Sequence, residues 1–474
     1  MKGWKIMLLE ILNTIDSAVW GPWLLILLLG VGVMFTLRLG LIQITSLPRA
    51  LKLIFFARNR GDGDIDSFKA LCTALAATVG TGNIVGVATA IKAGGPGALL
   101  WMWIAAFFGM ATKYAEGCLA VRYRQVDANG DISGGPMYYI EQGLGKKWKP
   151  LAVIFAFFGV MTACLGSGTY TQANAIMSSI EVTFGVAPII TDAVLTILVA
   201  VIILGGLQSI AKAAEKIVPA MAVLYIVSVI ALLVVYADRV PDAVALIIHD
   251  AFNPTAAVGG FLGATVMTTI RSGIARGIFS NESGLGSAPI VAAAAKTKWP
   301  AEQGLISMTG TFIDTIIICT MTGLAVVSSG LWNGDLNGAS LTNGAFAQAF
   351  PSFGNYLVTI CLALFAFTTI LGWNYYGERC LVYLFGTKAI KPYRVVYIAI
   401  IATAAFLKLE EIWALADIVN GLMAFPNLIA LLLLSGKVVC ETKAYLSHVK
   451  ERNRRVRVLK ANRIRMLRES ERAG

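Results

Sequence analysis

Charge is scarce in this 474-residue chain: only 14% of the residues are Asp, Glu, Lys or Arg, whereas 57% are hydrophobic. Soluble globular domains carry about a quarter of their residues as charges, so this composition excludes an ordinary soluble protein. Alternating segments of about ten residues are also lacking, which excludes a transmembrane β-barrel. Because the apolar runs last about 20 residues instead, the sequence predicts a polytopic α-helical membrane protein.

Histidine and paired cysteines are equally scarce. The only histidines are His249 and His448, and the seven cysteines stand singly, without a C-x-x-C motif. These residues give no ligand pattern for a transition metal, and we expect the cysteines to be small packing residues. No nucleophile stands beside a matching base, so an enzyme is not predicted. Residues 1–13 lack the pattern of a cleavable signal, and we expect the first span to be retained.

About eleven apolar segments are long enough to be transmembrane helices, and the loops between them differ in charge. Most of the 39 Lys and Arg residues fall in alternate loops and in the C-terminal tail, so the net charge of +12 is a topology signal. It predicts a multi-pass protein of the plasma (inner) membrane with its N-terminus outside and its C-terminus in the cytoplasm. The predicted spans are approximately 17–37, 68–92, 97–122, 150–183, 188–207, 214–237, 256–295, 304–329, 355–378, 393–407 and 412–434.

These segments divide the chain into three parts. Residues 1–67 are predicted to form an extra N-terminal transmembrane helix and a cytoplasmic interfacial loop, and residues 68–434 a ten-helix core. Residues 435–474 form a basic cytoplasmic tail, in which 443–472 mixes Arg and Lys with apolar residues. This stretch predicts either an amphipathic helix on anionic membrane lipid or a solvated tail. Nucleic acid is not an expected partner, because no aromatic stacking platform accompanies the charge.

Two of the apolar segments are interrupted by glycine and small polar residues. Segment 70–92 contains the interruption 77–83, and segment 265–296 contains the interruption 277–286. Unwound backbone is costly in hydrocarbon and persists only where it lines a buried site. Two broken helices at corresponding places in two halves of a chain indicate the binding centre of a transporter.

Distances along the helices place the polar residues at one depth. Thr81, Gly286 and Thr368 lie about 15–18 Å, at 1.5 Å per residue, from cytoplasmic charges at Lys69, Lys296 and Arg379. Half of the hydrocarbon core is about 15 Å thick, so the three positions converge on the midplane. The two interrupted spans run in opposite directions, as an inverted repeat of five helices requires.

The helix ends at the interruptions offer opposite partial charges. Amides near 80–83 suit a carboxylate, and freed carbonyls suit an ammonium group or sodium, so a zwitterionic amino acid with sodium fits both. The hydroxyls of Thr368 and Thr369 are candidate sodium ligands. Two other interpretations remain open: Gly82 and Gly86 can serve close helix packing, and the threonines can bond back to their own helix.

The motifs GGPGALLWMWI at 94–104, ATVGTGNI at 77–84 and RGIFSNESGLGSAP at 276–289 resemble the sodium:alanine symporter family, which transports alanine or glycine with a cation. The resemblance covers nearly the whole chain; Leu100 departs conservatively from the usual phenylalanine. It implies a leucine-transporter-like fold, in which two inverted repeats of five helices follow one extra N-terminal helix.

The resemblance also implies site residues, position by position. The substrate contacts would be Gly80, Thr81, Gly82, Asn83, Gln172, Trp373 and the backbone of Gly277, Ile278, Phe279, Ser280 and Asn281 in the second interruption. By analogy with the wider fold, sodium would be bound by the carbonyls of Ala76, Val79 and Phe365 and the hydroxyls of Thr368 and Thr369. The bulk of Gln172 and Trp373 leaves room for little more than a methyl side chain.

Other ionisable residues lie within the spans and are functional candidates by default. Arg271 and Arg276 fit either an outer gate or a structural pair, and Glu282 fits either ion coupling or a structural tie. The spacing of Lys113 and Glu116 predicts an ion pair on one helix face.

The sequence therefore predicts a secondary active transporter that imports alanine, glycine or both, with sodium as co-substrate and no cofactor. The alternative within transport is a proton-coupled or glutamine-selective amino-acid symporter. Outside that class, the alternatives are a passive channel and a membrane-embedded sensor or enzyme, the latter two disfavoured because the polar residues show no catalytic arrangement.

Overall fold

The computed structural model describes residues 2–56, 61–253, 266–406 and 410–473, and this part of the chain is almost wholly helical. Eight of its helices are long and apolar enough to cross a membrane, or nine when one bent pair is counted as a span. A further apolar helix, Pro188–Ile203, is shorter than a typical span. The all-α membrane class is confirmed, whereas the predicted count of eleven is not reached by these criteria.

In the part of the chain that the structure describes, the helices follow one another and one β-hairpin stands between the helices Ala98–Arg122 and Pro136–Tyr138. In chain order, the helices are α1 Lys2–Val19, α2 Pro22–Arg38, α3 Ile42–Thr45, α4 Leu47–Phe56, α5 Ser67–Thr78, α6 Val87–Gly94, α7 Ala98–Arg122, α8 Pro136–Tyr138, α9 Lys149–Leu165, α10 Tyr170–Phe184, α11 Pro188–Ile203, α12 Gly206–Val235, α13 Val240–Asp250, α14 Val266–Asn281, α15 Ala288–Ala292, α16 Pro300–Thr311, α17 Thr320–Ser329, α18 Gly338–Ala349, α19 Gly354–Phe385, α20 Ile390–Ile401 and α21 Glu410–Ala473. The strands β1 Gln125–Val126 and β2 Ile132–Ser133 pair antiparallel, with Gln125 opposite Ser133. Turns of π-helix occupy Gly82–Gly86, Tyr139–Gly143 and Phe312–Cys319, and turns of 3₁₀-helix occupy Lys146–Trp148, Leu331–Asn333, Thr387–Ala389 and Ala404–Phe406.

The first predicted interruption is confirmed. Helix α5 ends at Thr78, Val79 is extended, and the segment Gly82–Gly94 continues at an angle of 53° to Ser67–Thr78. The π-helical turn Gly82–Gly86 opens this second half of the span. Such local unwinding inside a membrane helix is typical of functional sites.

The second interruption begins later than predicted. Residues 277–281 remain in helix α14, and the chain leaves the helix only at Glu282. Glu282 has a left-handed φ of 56°, and Gly284 and Gly286 follow with φ of 90° and 86°. Glycine adopts these angles at little cost, so the two glycines after Glu282 keep the following segment out of helical conformation. The prediction that Gly277 starts the break is therefore wrong.

A third interruption was not predicted. The span expected at 150–183 is divided into α9 and α10, with Gly166 to Thr169 outside both helices. A methyl group on Gly168 would lie 2.7 Å from Cβ of Trp373. This glycine therefore lets the connection between α9 and α10 approach α19 closely. The Gly166-Ser167-Gly168 sequence was the available signal.

The last span and the tail form one helix. Helix α21 runs from Glu410 to Ala473 without a break near residue 434, where the sequence had placed a domain boundary. The predicted helix at 443–472 is therefore present. Helix α1 packs along α21, so the extra N-terminal segment lies against the last span of the core.

Candidate functional site between the interrupted helices

Four residues of the predicted site meet at the first interruption. The Gly80 amide donates to Asn83 Oδ1 at 2.9 Å, and the Thr81 amide donates to Gln172 Oε1 at 3.4 Å. Gln172 Nε2 in turn donates to Thr81 Oγ1 and to the carbonyl of Ser167, both at 3.1 Å. Side-chain oxygens thus hold the positions that a carboxylate would take on these two amides.

The glycines at this interruption permit two close approaches. A methyl group on Gly80 would lie 2.4 Å from Thr369 Oγ1, and one on Gly82 would lie 3.0 Å from Cα of Ser280. Real Cβ atoms almost never approach other heavy atoms so closely. The first interruption is therefore in direct contact with α19 on one side and with α14 on the other.

Asp314 ties the two interrupted helices together. Its Oδ1 accepts from Asn83 Nδ2 at 2.8 Å, and its Oδ2 accepts from the hydroxyls of Ser280 and Thr315 at 2.9 and 2.8 Å. The carboxyl group is fully buried. Sequence reasoning did not place Asp314 in the site, although an acidic residue within the apolar stretch 312–319 was a signal.

The predicted contacts on α14 point in several directions. Gly277 packs against Met102, and the Phe279 ring packs against Gly82. The Ser280 hydroxyl donates a hydrogen bond to Asp314. The carbonyl of Ile278 accepts from the Glu282 amide at 2.8 Å as in an ordinary helix. Because the helix continues here, the freed carbonyls expected at 277–281 are reduced to its last turn.

Asn281 closes that last turn. Its side chain donates to Thr315 Oγ1 at 3.0 Å and accepts from the Ser283 amide at 2.9 Å, which turns this amide away from the Phe279 carbonyl. The Asn281 carbonyl accepts from Lys113 Nζ at 2.9 Å. The end of α14 therefore already carries one fixed positive charge.

Four of the five predicted sodium ligands are joined by contacts, and the fifth, Ala76, lies in the same buried cluster. Ala76, Val79 and Phe365 belong to one buried apolar cluster, and Thr368 and Thr369 are buried beside Phe365 on α19. Both threonine hydroxyls donate to the Phe365 carbonyl at 3.0 Å, and Thr369 also reaches the Val79 carbonyl at 3.5 Å. The set offers carbonyl and hydroxyl oxygens, which suit a hard cation, although the hydroxyls now bond within their own helix as the alternative interpretation expected.

Trp373 is almost fully buried, with 1% of its surface exposed. Its ring packs edge-on against Tyr376 at 5.5 Å between centroids, and its base contacts Gly168 in the third interruption. The side chain approaches Glu282 without forming a hydrogen bond of ordinary geometry. Trp373 thus lies between the third interruption and the second.

Lys113 and Glu116 do not form the ion pair that their spacing predicted. Lys113 donates to Asn281 as described, and Glu116 Oε1 accepts from Asn427 Nδ2 at 2.7 Å. The same Asn427 amide donates to the Gly284 carbonyl at 2.9 Å. The side chains of Lys113 and Glu116 thus both lie beside the unwound segment after α14. Glu282 lies in this segment, and its carboxylate accepts a hydrogen bond from the Ser287 hydroxyl.

A cavity of about 480 Å³ leads from the side of the N-terminus to the first interruption. Thr81 and Phe279 form its inner end, and Asp16, Arg276 and Asp417 line its wall. Arg276 Nη2 lies 3.4 Å from Asp417 Oδ2, and its guanidinium stands over the Phe279 ring at 5.5 Å from the centroid. The site is thus approached from this side.

Buried ion pairs lie on the opposite side, beside a second cavity of about 500 Å³ that Glu378, Arg379 and Arg394 line. Arg379 pairs with Asp127 at 3.0 Å and with Glu378 at 2.9 Å, and its side chain is 4% exposed. Arg394 Nε pairs with Glu378 at 2.6 Å. Asp64 lies near this network, and burial raises the pKa of its carboxyl group even though it accepts from the Ile132 amide at 2.8 Å.

The chain is similar in sequence to known membrane transporters over nearly its whole length. A sequence model described as the sodium:alanine symporter family matches residues 5–459. An uncharacterized transporter of Haemophilus influenzae is 59% identical over 93% of this chain and 97% of its own length. The sodium/alanine symporter AgcS of Methanococcus maripaludis is 52% identical over 92% of this chain and 97% of its own. The probable sodium/glutamine symporter GlnT of Bacillus subtilis is 38% identical over 92% of this chain and 90% of its own.

Proposed function

Because the chain belongs to the sodium:alanine symporter family, we propose that it imports a small neutral amino acid, alanine or glycine, together with sodium by alternating access. Members of this family are membrane transporters and not enzymes, and sodium is their co-substrate. The observation that carries the proposal is the contact between the two interrupted helices at a buried polar centre. The Asp314 carboxylate joins Asn83 of the first to Ser280 of the second.

The amino acid binds with its carboxylate on the amides of Gly80 and Thr81. The Gln172 oxygen now accepting from Thr81 sits at 3.4 Å, a long hydrogen bond that a carboxylate replaces at low cost. The ammonium group binds the Phe279 carbonyl, because the Ser283 amide that would otherwise bond it donates to Asn281 instead. The opposite partial charges of two helix ends thus match the two charges of a zwitterion.

Sodium binds to the oxygens of Ala76, Val79, Phe365, Thr368 and Thr369, whose hydroxyls turn from their own helix to the ion. Gly80 contacts Thr369 directly, so the backbone that binds the substrate carboxylate adjoins a sodium ligand. Each solute therefore orders backbone that the other needs, which gives a positive coupling free energy between the two sites.

Two cavities on opposite sides support an assignment of the conformational state. The cavity at Asp16, Arg276 and Asp417 reaches Thr81, whereas none of the proposed site residues lines the cavity at Glu378, Arg379 and Arg394. With the N-terminus outside and the tail in the cytoplasm, as the distribution of basic loops indicates, this is an outward-facing state.

Uptake of labelled alanine into proteoliposomes tests the function as a whole. An imposed inward sodium gradient is expected to drive accumulation above the external concentration, and a pH gradient alone is not. Accumulation driven by the pH gradient would favour the proton-coupled alternative, and strong competition by unlabelled glutamine would favour the glutamine-selective one, a substrate named for the relative GlnT. Equilibration without accumulation would indicate a passive channel.

Replacing Thr368 and Thr369 together by alanine is expected to raise the sodium concentration for half-maximal uptake about tenfold or more. Two hydroxyl ligands of the proposed ion site are lost, and loss of one interaction with a charged group costs about 1.5–3 kcal/mol. Thr403→Ala, a substitution of an exposed threonine, is the matched control. An unchanged sodium dependence in the double variant would contradict this ion site.

Trp373→Ala is expected to abolish alanine uptake while leaving insertion into the membrane intact. The indole separates the second and third interruptions, and its removal leaves a large cavity where the substrate should be held. Uptake at equal protein level in the membrane is the measurement, with Trp332→Ala, at a partly exposed loop position, as the control. Normal alanine uptake by Trp373→Ala would remove Trp373 from the pocket.

A further inference from the structure

The cavity of about 500 Å³ lies on the tail side, where α21 continues past residue 434, and no residue of the proposed transport site lines it. Five parts of the chain enclose it: the loop before α5, the β-hairpin, the connection between α11 and α12, the second half of α19 and the start of α20. Its volume lies within the range of about 300–1,000 Å³ that is typical of sites for small molecules. The cavity therefore has room for a ligand of its own.

The starts of two helices line this cavity. Residues 204–208 lead into α12, and the lining residues between 387 and 394 include the 3₁₀-helical turn that opens α20. Neither start has an acidic residue in its first turn or a hydrogen bond from a capping side chain. The amides at a helix start lack partners within the helix and carry a positive partial charge. Two uncapped starts at one cavity therefore favour an anion.

Arg394 joins the two helix starts. Its Nη1 donates to the Leu204 carbonyl at 3.2 Å, and a methyl group on Gly206 would lie 2.9 Å from its Nη2. Glycine at this position thus lets the guanidinium from α20 lie against the first residue of α12. Lys391, three residues before Arg394, also lines the cavity, and its ammonium group forms no ion pair within the described residues. This positive charge is therefore available to a ligand.

Two buried polar atoms in the wall lack a partner. The Tyr375 hydroxyl and Nε of Arg379 are enclosed, yet neither forms a hydrogen bond with another described residue. Tyr375 is 1% exposed and Arg379 is 3% exposed, and both side chains line the cavity. The Tyr375 hydroxyl lies among Glu378, Asp64 and Asp131, which line the same cavity. Because buried polar atoms without a partner are costly, these two indicate a polar ligand in the cavity.

The acidic residues of the wall restrict the kind of anion. Glu378 already pairs with both arginines, and the Asp64 carboxylate accepts from the Ile132 amide. Asp131 is exposed, and its carboxylate forms no ion pair with another residue that the structure describes. A bare anion offers Asp131 no donor. A phosphate ester with hydroxyl groups donates to this carboxylate and accepts from the basic residues and the helix starts.

We propose that this cavity binds a phosphate ester that carries hydroxyl groups. The phosphate binds Lys391, Arg394 and the start of α12. The hydroxyl groups donate to Asp131 and accept from the Tyr375 hydroxyl and from Nε of Arg379. The bound ligand joins α12, α19 and α20 at a place that the proposed transport site does not reach.

Two sources share this chemistry. One is the headgroup of an anionic phospholipid such as phosphatidylglycerol, since basic pockets between membrane helices on the cytoplasmic side bind anionic headgroups. The other is a soluble phosphate ester such as glycerol phosphate. Both place a phosphate beside hydroxyl groups, so the same residues bind either one.

The test has two arms, both with the purified full-length protein. The first measures equilibrium binding of labelled glycerol phosphate in nanodiscs of phosphatidylcholine. The second measures the phosphatidylglycerol that each chain retains after purification from membranes that contain this lipid. One ligand per chain is expected in at least one arm, and the arm in which it is found identifies the source.

Lys391→Gln is expected to weaken binding about tenfold, because it removes a hydrogen bond to a charged phosphate, and Tyr375→Phe is expected to weaken it about fivefold. In the lipid arm both variants should retain less phosphatidylglycerol. Lys147→Gln and Tyr356→Phe, at exposed positions outside the cavity, are the matched controls. Glycerol without phosphate is the chemical control and should not bind.

Alanine and sodium are not expected to displace the ligand, because they bind at the central site. Displacement by alanine, binding unchanged in both Lys391→Gln and Tyr375→Phe, or no ligand in either arm would overturn the proposal. Binding of glycerol as tight as that of glycerol phosphate would do the same. These outcomes do not depend on transport, so failure of the proposed function in the uptake assay is a separate result.

Discussion

Asn83→Ala is expected to abolish alanine uptake at an unchanged protein level in the membrane. The Asn83 side chain accepts from the Gly80 amide and donates to Asp314, so its loss leaves a buried donor and a buried carboxylate each short of one partner. Each unsatisfied buried group costs about 1–3 kcal/mol. Together these costs disorder the amides that bind the substrate and break the link to α14.

The measurement is sodium-driven uptake of labelled alanine in proteoliposomes, with Asn333→Ala as the matched control. Asn333 is exposed and ends the 3₁₀-helical turn Leu331–Asn333, outside the proposed site. Sodium-dependent thermal stabilisation provides a second readout, because the proposed ion ligands do not include Asn83. Wild-type uptake by Asn83→Ala would contradict its place in the binding site.

The first interruption was predictable from the sequence because its cause is local. Val79, Gly80 and Gly82 break a helix in which Thr78 and Asn83 supply polar side chains, and the structure ends α5 at Thr78. Composition and the length of the apolar runs likewise predicted an all-helical membrane protein. Such local patterns can be recognised in the sequence without knowing which other segments pack against them.

The second interruption was misplaced because its position depends on backbone angles and distant partners. Gly277 precedes a full further turn of helix, which ends only where Glu282 and then Gly284 and Gly286 adopt a positive φ. Glu282 tolerates a left-handed φ because its carboxylate is held by Ser287. A single sequence does not distinguish a glycine that permits close packing, such as Gly277 behind Met102, from one that unwinds the chain.

Asp314 and Lys113 were beyond prediction as partners of the site for a related reason. Their roles depend on which helices are neighbours: Asp314 meets Asn83 across more than 200 residues of chain, and Lys113 meets the end of α14 and not Glu116. The i, i+3 rule identifies side chains on one helix face, but it does not weigh them against unsatisfied carbonyls on another helix. A buried charged side chain is found beside the group that would cost the most free energy if it were left without a partner.

The ion pairs on the tail side also join residues of different elements. Arg379 joins the hairpin loop at Asp127 to Glu378 on its own helix, and Arg394 of α20 binds Glu378 as well. Two cations, Arg379 and Arg394, thus tie three separate elements together. In the proposed transport cycle the two states differ by a few kcal/mol, so a network of this size can decide which side is open.

Arg379→Gln is therefore expected to shift the protein out of the outward-facing state and to reduce sodium-driven accumulation of alanine at least tenfold. Removing one partner of a buried ion pair costs about 3–5 kcal/mol, because the carboxylates of Asp127 and Glu378 lose their shared cation. Lys388→Gln, at an exposed position on the same side, is the matched control. Exchange of internal for external labelled alanine separates the causes: it needs the central site but not a gradient, so it should be retained in Arg379→Gln and lost in Asn83→Ala. Accumulation at the wild-type level would show that these ion pairs do not hold the tail side closed.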